Sequence, residues 1–197
     1  MAKKKQFHHG DLKRALFEAA VELLDEHGPE GVTIRAVARA AGVSHSAPVN
    51  HYKDRGTLLT AIAQTQFEFI LSEIKSALAN MPKDPSPRVE MFARTLMEFG
   101  FKYPHRYQML WRSDLVDHEN PDLLNAMDNV YDQLCVEIGK ATPDVDVDTE
   151  TIAVALWSLA HGYVDMRLSG MFVPLDDRLS GKPRPAAMME LLLSCLK

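Results

Sequence analysis

The sequence predicts an all-α protein of about nine helices, with a three-helix helix-turn-helix unit at the amino end and a larger helical domain behind it. Three observations carry that expectation. Apolar residues recur at spacings of three and four almost throughout, which is the period of a helix face. Ser, Thr, Asp and Asn stand just ahead of these stretches, and Gly or Pro closes them. No run alternates apolar and polar residues over the length of a strand, and no repeat or low-complexity tract interrupts the pattern.

The elements follow in order. Leu12, Leu16, Ala19 and Leu23 step along one face of a first helix, which Asp11 caps and Gly28-Pro29 ends. Thr33 caps a short helix through Ala40, broken at Gly42, and Ser44 caps a second short helix ending near His51. Asp54 opens a longer helix towards Asn80, on which Leu58, Ile62, Phe69 and Leu78 alternate with polar positions. MPKDPSPR, residues 81–88, holds three prolines and reads as a linker. Helices are expected over 89–101, over 104–111 and from Asn120-Pro121 to Lys140, the last followed by the acidic loop TPDVDVD. Residues 149–168 are apolar nearly all round, the pattern of a buried helix, and Gly170 stops it. The loop PLDDRLSGKPRP then leads into a final helix, AAMMELLLSCLK.

Composition narrows the function classes. Over 197 residues, 46% apolar and 25% charged is the make-up of an ordinary globular chain with a real core. No run approaches the roughly 18 apolar residues of a membrane span. The start, MAKKKQFHHGDL, lacks the apolar stretch of a secretory signal. Cys135 and Cys195 stand far apart with no CxxC partner, which argues for a reducing compartment, the cytoplasm, and against a structural zinc. His8 and His9 with Asp11 have no further ligands nearby, so no metal or cofactor is expected. Charge is uneven: residues 1–55 hold nine Lys/Arg against seven Asp/Glu, a net of +2, while 56–197 hold thirteen against twenty, a net of −7. Two domains are therefore expected, 1–55 and 56–197, the first facing something negative.

Within the first lies VTIRAVARAAGVSHSAPVNHYK, residues 32–53, from which Asp and Glu are missing altogether. Two short helices joined by a glycine turn form a helix-turn-helix, here about 33–52, whose second helix enters the major groove. Ala38 lets the helices cross closely, and Val37, Ala41 and Val43 fill the seam. Ser44, His45 and Ser46 sit at the amino end of the second helix, where backbone N–H groups favour phosphate or base acceptors. Asn50 suits an adenine edge. Lys53 and Arg55 suit phosphates, and Thr33, Arg35, His51 and Tyr52 complete the expected DNA-contacting set. Lys3, Lys4 and Lys5 form either a minor-groove arm or a solubilising tail.

The run from His8 to Ala63 resembles the N-terminal domain of TetR-type transcriptional regulators: a long helix, a Gly-Pro break, TIRAVARAAGVS, and Tyr52 ahead of the next helix. The resemblance implies a homodimer on a palindromic double-stranded operator, usually repressing, released when a small molecule occupies the C-terminal domain. It has departures. Val49 stands where many relatives carry a phosphate-contacting tyrosine, His51 replaces a usual aromatic, and Pro48 lies inside the recognition helix, where it removes a backbone hydrogen bond.

The second domain holds both tryptophans and most of the methionines. Aromatic residues crowd 99–111, and Trp157 and His161 lie one turn apart. WSLAHG and PHRYQMLW resemble one C-terminal subgroup of the same regulators. Phe101, Tyr107, Trp111, Trp157 and His161 are the candidate lining of an effector pocket, although stripes at this spacing also describe plain core. His161 reads equally as a structural histidine. The last two helices expose more apolar surface than one chain hides, so they are expected to pair with a second copy through Leu156, Met188, Leu192 and Cys195. A helical adaptor without DNA binding is one alternative. An enzyme using the C-terminal pocket is another, and Ser158, His161 and Asp165 on one regular helix lack the convergence that catalysis needs.

Overall fold

The computed structural model describes residues 9–143 and 146–194. They form α1 (His9–His27), α2 (Ile34–Ala40), α3 (Arg55–Asn80), α4 (Pro85–Lys102), α5 (Pro104–Leu110), α6 (Pro121–Ala141), α7 (Thr149–Leu168) and α8 (Arg184–Ser194), with short 3₁₀ turns at Pro29–Gly31 and Pro48–Asn50. Among the described residues there is no strand beyond an isolated bridge between Asp176 and Pro183. None of the described helices is long and apolar enough to cross a membrane.

Eight of the nine expected helices form as α-helices. The exception is the second short helix of the motif, which is a turn followed by the 3₁₀ segment Pro48–Asn50. Pro48 is the cause. It has no N–H to give to the Ser44 carbonyl, which instead accepts from Ala47 N at 3.0 Å, one residue early. The bond from Tyr52 N to Pro48 O, 2.8 Å, restores helical spacing beyond the proline.

The chain divides into two compact units, and their membership does not follow chain order. One comprises the described residues up to Gln66 together with Tyr103–Leu124; the other comprises Phe67–Lys102 and the described residues from Asn125 onward.

In the first unit, α1 begins at His9, ahead of the expected Asp11 cap. Its buried stripe is Leu16, Ala19, Ala20 and Leu24, so the expected face is rotated by one position at its end, from Leu23 to Leu24. Thr33 caps α2, its hydroxyl accepting from Ala36 N at 3.1 Å. Val37 and Ala38 are fully buried beneath α1. Gly42 turns the chain out of α2 with φ +70, a conformation that a side chain would strain. Asp54 caps α3, accepting from Thr57 N and Thr57 Oγ1, both at 2.8 Å. These bonds hold its carboxyl below the ordinary range.

The second unit starts α4 four residues earlier than the sequence suggests, at Pro85. Pro85 and Pro87 lie in the first turn, where the missing N–H groups have no helical partner in any case. Phe69 is 40% exposed, outside the buried stripe of Phe67, Ile70 and Ile74. The expectation that α7 is buried all round also needs correcting. Ile152, Ala153, Leu156, Ala160, Tyr163 and Val164 face the core, while Val154 is 55% exposed and Ser158, Gly162 and Met166 share its open side. Arg88 on α4 reaches Glu137 on α6 through Nε at 2.7 Å and Nη2 at 3.3 Å, and the Leu78 carbonyl through Nη1.

Candidate nucleic-acid interface

The stretch after Gly42 presents its polar groups outward. Ser44, His45, Ser46, Asn50 and Lys53 are exposed, and so is Val49. Pro48 is buried and anchors the turn from beneath. The Ser44 and Ser46 hydroxyls lie 3.3 Å apart. On α2, Arg35 and Arg39 are exposed one helical turn apart, and Thr33 is exposed while serving as the cap. Arg39 was absent from the expected contacts, though it lies in the same carboxylate-free stretch, four residues beyond Arg35. The strip therefore offers two guanidiniums, an ammonium, hydroxyls and an amide, with no acid among residues 32–53.

Three expected contacts are placed differently. Arg55 turns inward. Its Nε donates to the Val32 carbonyl at 2.8 Å, and its Nη2 to the Pro29 carbonyl at 2.7 Å and to Glu30 at 3.2 Å. It ties the start of α3 to the Pro29–Gly31 turn and is not an open phosphate ligand. Tyr52 is 3% exposed, and burial pushes its phenol up. Lys13 Nζ lies 6.0 Å from the Tyr52 ring, so Tyr52 supports the face from below. His51 is half-buried.

A second feature of this unit was not read from the sequence. The segment Tyr103–Leu124 clasps the end of α1. His105 Nδ1 stands 3.1 Å from the Leu24 carbonyl and 3.0 Å from that of Asp25, which assigns the proton to Nδ1. Arg106 donates from Nε to Asp25 Oδ1 at 2.7 Å, with its guanidinium over the Tyr103 ring. Arg112 reaches Glu30 at 3.5 Å as well as its neighbour Asp114. Ion pairs between residues some eighty positions apart leave no local spacing to find.

The five expected pocket residues divide between the two units. Tyr107 is fully buried and meets Trp111 edge-on, with ring centroids 6.1 Å apart, in the same unit as the helix-turn-helix. Phe101, Trp157 and His161 belong to the other unit. Phe101 lines a cavity of about 300 Å³ between α4 and α8. Trp157 borders a hollow of about 10 Å³, which is core packing.

His161 lies 5.1 Å from the Trp157 ring, and burial lowers its pKa from 6.5 to about 4. The unfolded imidazole takes up a proton below 6.5 that the folded one refuses until about 4. Stability is therefore full above 6.5 and drains as pH falls towards 4. The loss reaches about 2 kcal/mol by pH 5. His161→Phe should flatten the wild-type decline in melting temperature between pH 7 and 5, whereas an unchanged decline contradicts the buried, neutral ring.

Of the expected dimer contacts, Leu156 is corrected: it is 2% exposed and packs in its own core. Met188 and Leu192 are half-buried on α8. Cys195, the three lysines at 3 to 5 and His8 lie outside the described residues, as do the side chains of His9 and Asp11. The described residues hold no cluster of ligands fit for a metal ion.

Comparisons with known proteins agree with this geometry. Residues 89–194 match the family model described as Tetracyclin repressor-like, C-terminal domain, and residues 16–62 match that of bacterial regulatory proteins, tetR family. The HTH-type transcriptional repressor AcnR of Corynebacterium glutamicum is 23% identical over 163 residues, covering 80% of this chain and 82% of its own. A protein of unknown function from Rhodococcus sp. RHA1 superposes with a TM-score of 0.80 at 24% identity, covering 98% of both chains. The regulator FadR of Bacillus subtilis, solved in complex with stearoyl-CoA, shares the fold with a TM-score of 0.69 at 11% identity, covering 93% of this chain and 96% of its own.

Proposed function

The chain belongs to the TetR family of DNA-binding transcriptional regulators, and on that footing we propose a cytoplasmic, ligand-responsive repressor that grips a palindromic operator as a homodimer. The observation that carries the reading is the exposed, carboxylate-free face from Thr33 to Lys53. Arg35, Arg39 and Lys53 neutralise phosphates, while Ser44, His45, Ser46 and Asn50 are free to meet base edges. A helical adaptor has no use for such a strip. On α7, Ser158 and Asp165 are exposed while His161 turns against Trp157, so the enzyme alternative has no assembled site.

Two copies place two such faces on half-sites about 34–36 Å apart, the spacing of one duplex turn. The effector acts only as far as it prefers the arrangement that cannot bind DNA. The segment Tyr103–Leu124 is the route for that preference. It follows α4 directly in the chain and runs into the first turn of α6, and it holds α1 and the Pro29–Gly31 turn through His105, Arg106 and Arg112. A shift of either flanking helix pulls on the base of the reading head.

The test is selection of bound duplexes from a random pool. Wild type should recover a palindrome. Asn50→Ala should lose preference at one base position per half-site and bind its best site about tenfold more weakly. Recovery of no common motif, or an unchanged preference in Asn50→Ala, contradicts the assignment.

A further inference from the structure

We propose that Val49 reads the C5-methyl group of one thymine in each operator half-site. This rests on the regulator reading and deepens it, by naming a base and the chemical group on it that the reading face selects.

Val49 is the exception on that face. Within residues 32–53, Val32, Val37, Pro48 and Tyr52 are buried and Ile34 and Val43 are half-buried, while Val49 is 54% exposed. Its exposed neighbours Ser44, His45, Ser46, Asn50 and Lys53 are all polar. The placement follows from Pro48. Successive residues of a 3₁₀ turn point roughly 120° apart, so with Pro48 buried, Val49 and Asn50 are both left facing outward. The turn is held firmly. The proline ring fixes φ, and the Pro48 carbonyl accepts from His51 N at 2.9 Å and from Tyr52 N at 2.8 Å. Valine is itself stiff, being branched at Cβ, so little freedom is lost when it meets a partner.

Chemistry decides what that partner is. On a free surface a lone valine needs no cover. On a face that closes on a duplex, its methyls leave water for whatever lies opposite. A phosphate there would give up hydration to a group that returns no hydrogen bond. In the major groove the base edges present donors and acceptors, and thymine alone adds an apolar group, its C5-methyl. Reach agrees with this. Valine is short and must be brought close, and Ser44, Ser46 and Ala47 beside it are short as well, so the backbone from Ser44 to Asn50 can approach the base edges.

Deoxyuridine substitution in the palindrome that wild type selects from a random pool tests the contact. Deoxyuridine keeps every hydrogen-bonding group of thymidine and lacks only the methyl. Each thymine is replaced in turn, symmetrically in both half-sites. One position should weaken wild-type binding about fourfold per half-site, the contribution of one methyl-sized apolar group removed from water. Val49→Ala should lose a similar amount on the thymine operator and then be indifferent to deoxyuridine at that position, the non-additivity of two groups in contact. Val49 lies outside the core, so the variant should keep the wild-type circular dichroism, and the series on wild type needs no variant at all. Half-sites without thymine, or a wild type insensitive to every deoxyuridine, overturn the contact. So does a Val49→Ala variant as sensitive as wild type at each thymine, which marks packing on deoxyribose or a different reader of the methyl. Any of these with a palindrome still bound leaves the regulator reading standing, and recovery of no palindrome sinks both.

Discussion

Val154→Asp is expected to split the proposed homodimer and to weaken operator binding by roughly 10²–10⁴-fold, the gain that comes from tethering two reading heads together. Val154 is 55% exposed on a face of α7 that also carries Ser158, Gly162 and Met166, and Leu191 on α8 is 67% exposed. Val154 and Met166 on α7 and Leu191 on α8 are exposed apolar side chains that a partner surface would cover. Gly162 adds to the argument, because a Cβ built there meets nothing within 4 Å in the single chain. Its small size therefore serves no neighbour in its own protomer and suits the close approach of a second copy. In a two-fold interface each substitution acts twice, so one aspartate per chain buries two carboxylates. Sedimentation should show a monomer with unchanged helix content, since Val154 lies outside the core of its own chain. A dimer with wild-type operator affinity contradicts this placement of the interface.

Glu137→Ala should lower the unfolding free energy by about 3 kcal/mol, the low end for breaking a buried ion pair because Arg88 keeps some solvent contact. Glu137 is 1% exposed and takes hydrogen bonds from Arg88 Nε at 2.7 Å and Lys140 Nζ at 2.8 Å. The paired Arg88 chiefly, and then Lys140, hold its carboxyl below the ordinary value of 4.5. A depressed carboxyl contributes stability that is complete above 4.5 and is lost as pH falls through the folded value. The wild type should therefore lose its advantage over the variant in acid. Urea unfolding at pH 7 and pH 3 measures both, and a gap between the two proteins that persists unchanged at pH 3 contradicts the ion-pair account.

The sequence was most legible where structure is local. Thr33 and Asp54 cap the helices assigned to them, and α7 spans the residues its pattern marked, because a cap or a periodic face is written within a few positions. Pro48 was recognised as costing a hydrogen bond, but its reduction of the recognition helix to a 3₁₀ turn depends on where the Ser44 carbonyl finds a replacement donor. What failed was partnership at long range. Arg55 looked like a phosphate ligand beside Lys53, yet carbonyls at Pro29 and Val32 take it. Tyr107 and Trp111 read as pocket residues by composition, and composition does not say that they belong to the helix-turn-helix unit. Leu156 and Val154 differ by two positions on an apolar helix, and no periodicity says which of them faces the core when almost every residue is apolar.

The most direct measurement is the salt dependence of operator affinity for wild type and Lys53→Ala. The account predicts a linear fall of log affinity with log salt, amounting to roughly 10³–10⁵-fold between about 50 and 200 mM for six to ten phosphate contacts. Lys53→Ala should make the slope shallower by about one per half-site. An affinity indifferent to salt, or a Lys53→Ala slope equal to wild type, contradicts the claim that the exposed strip from Thr33 to Lys53 lies on a duplex.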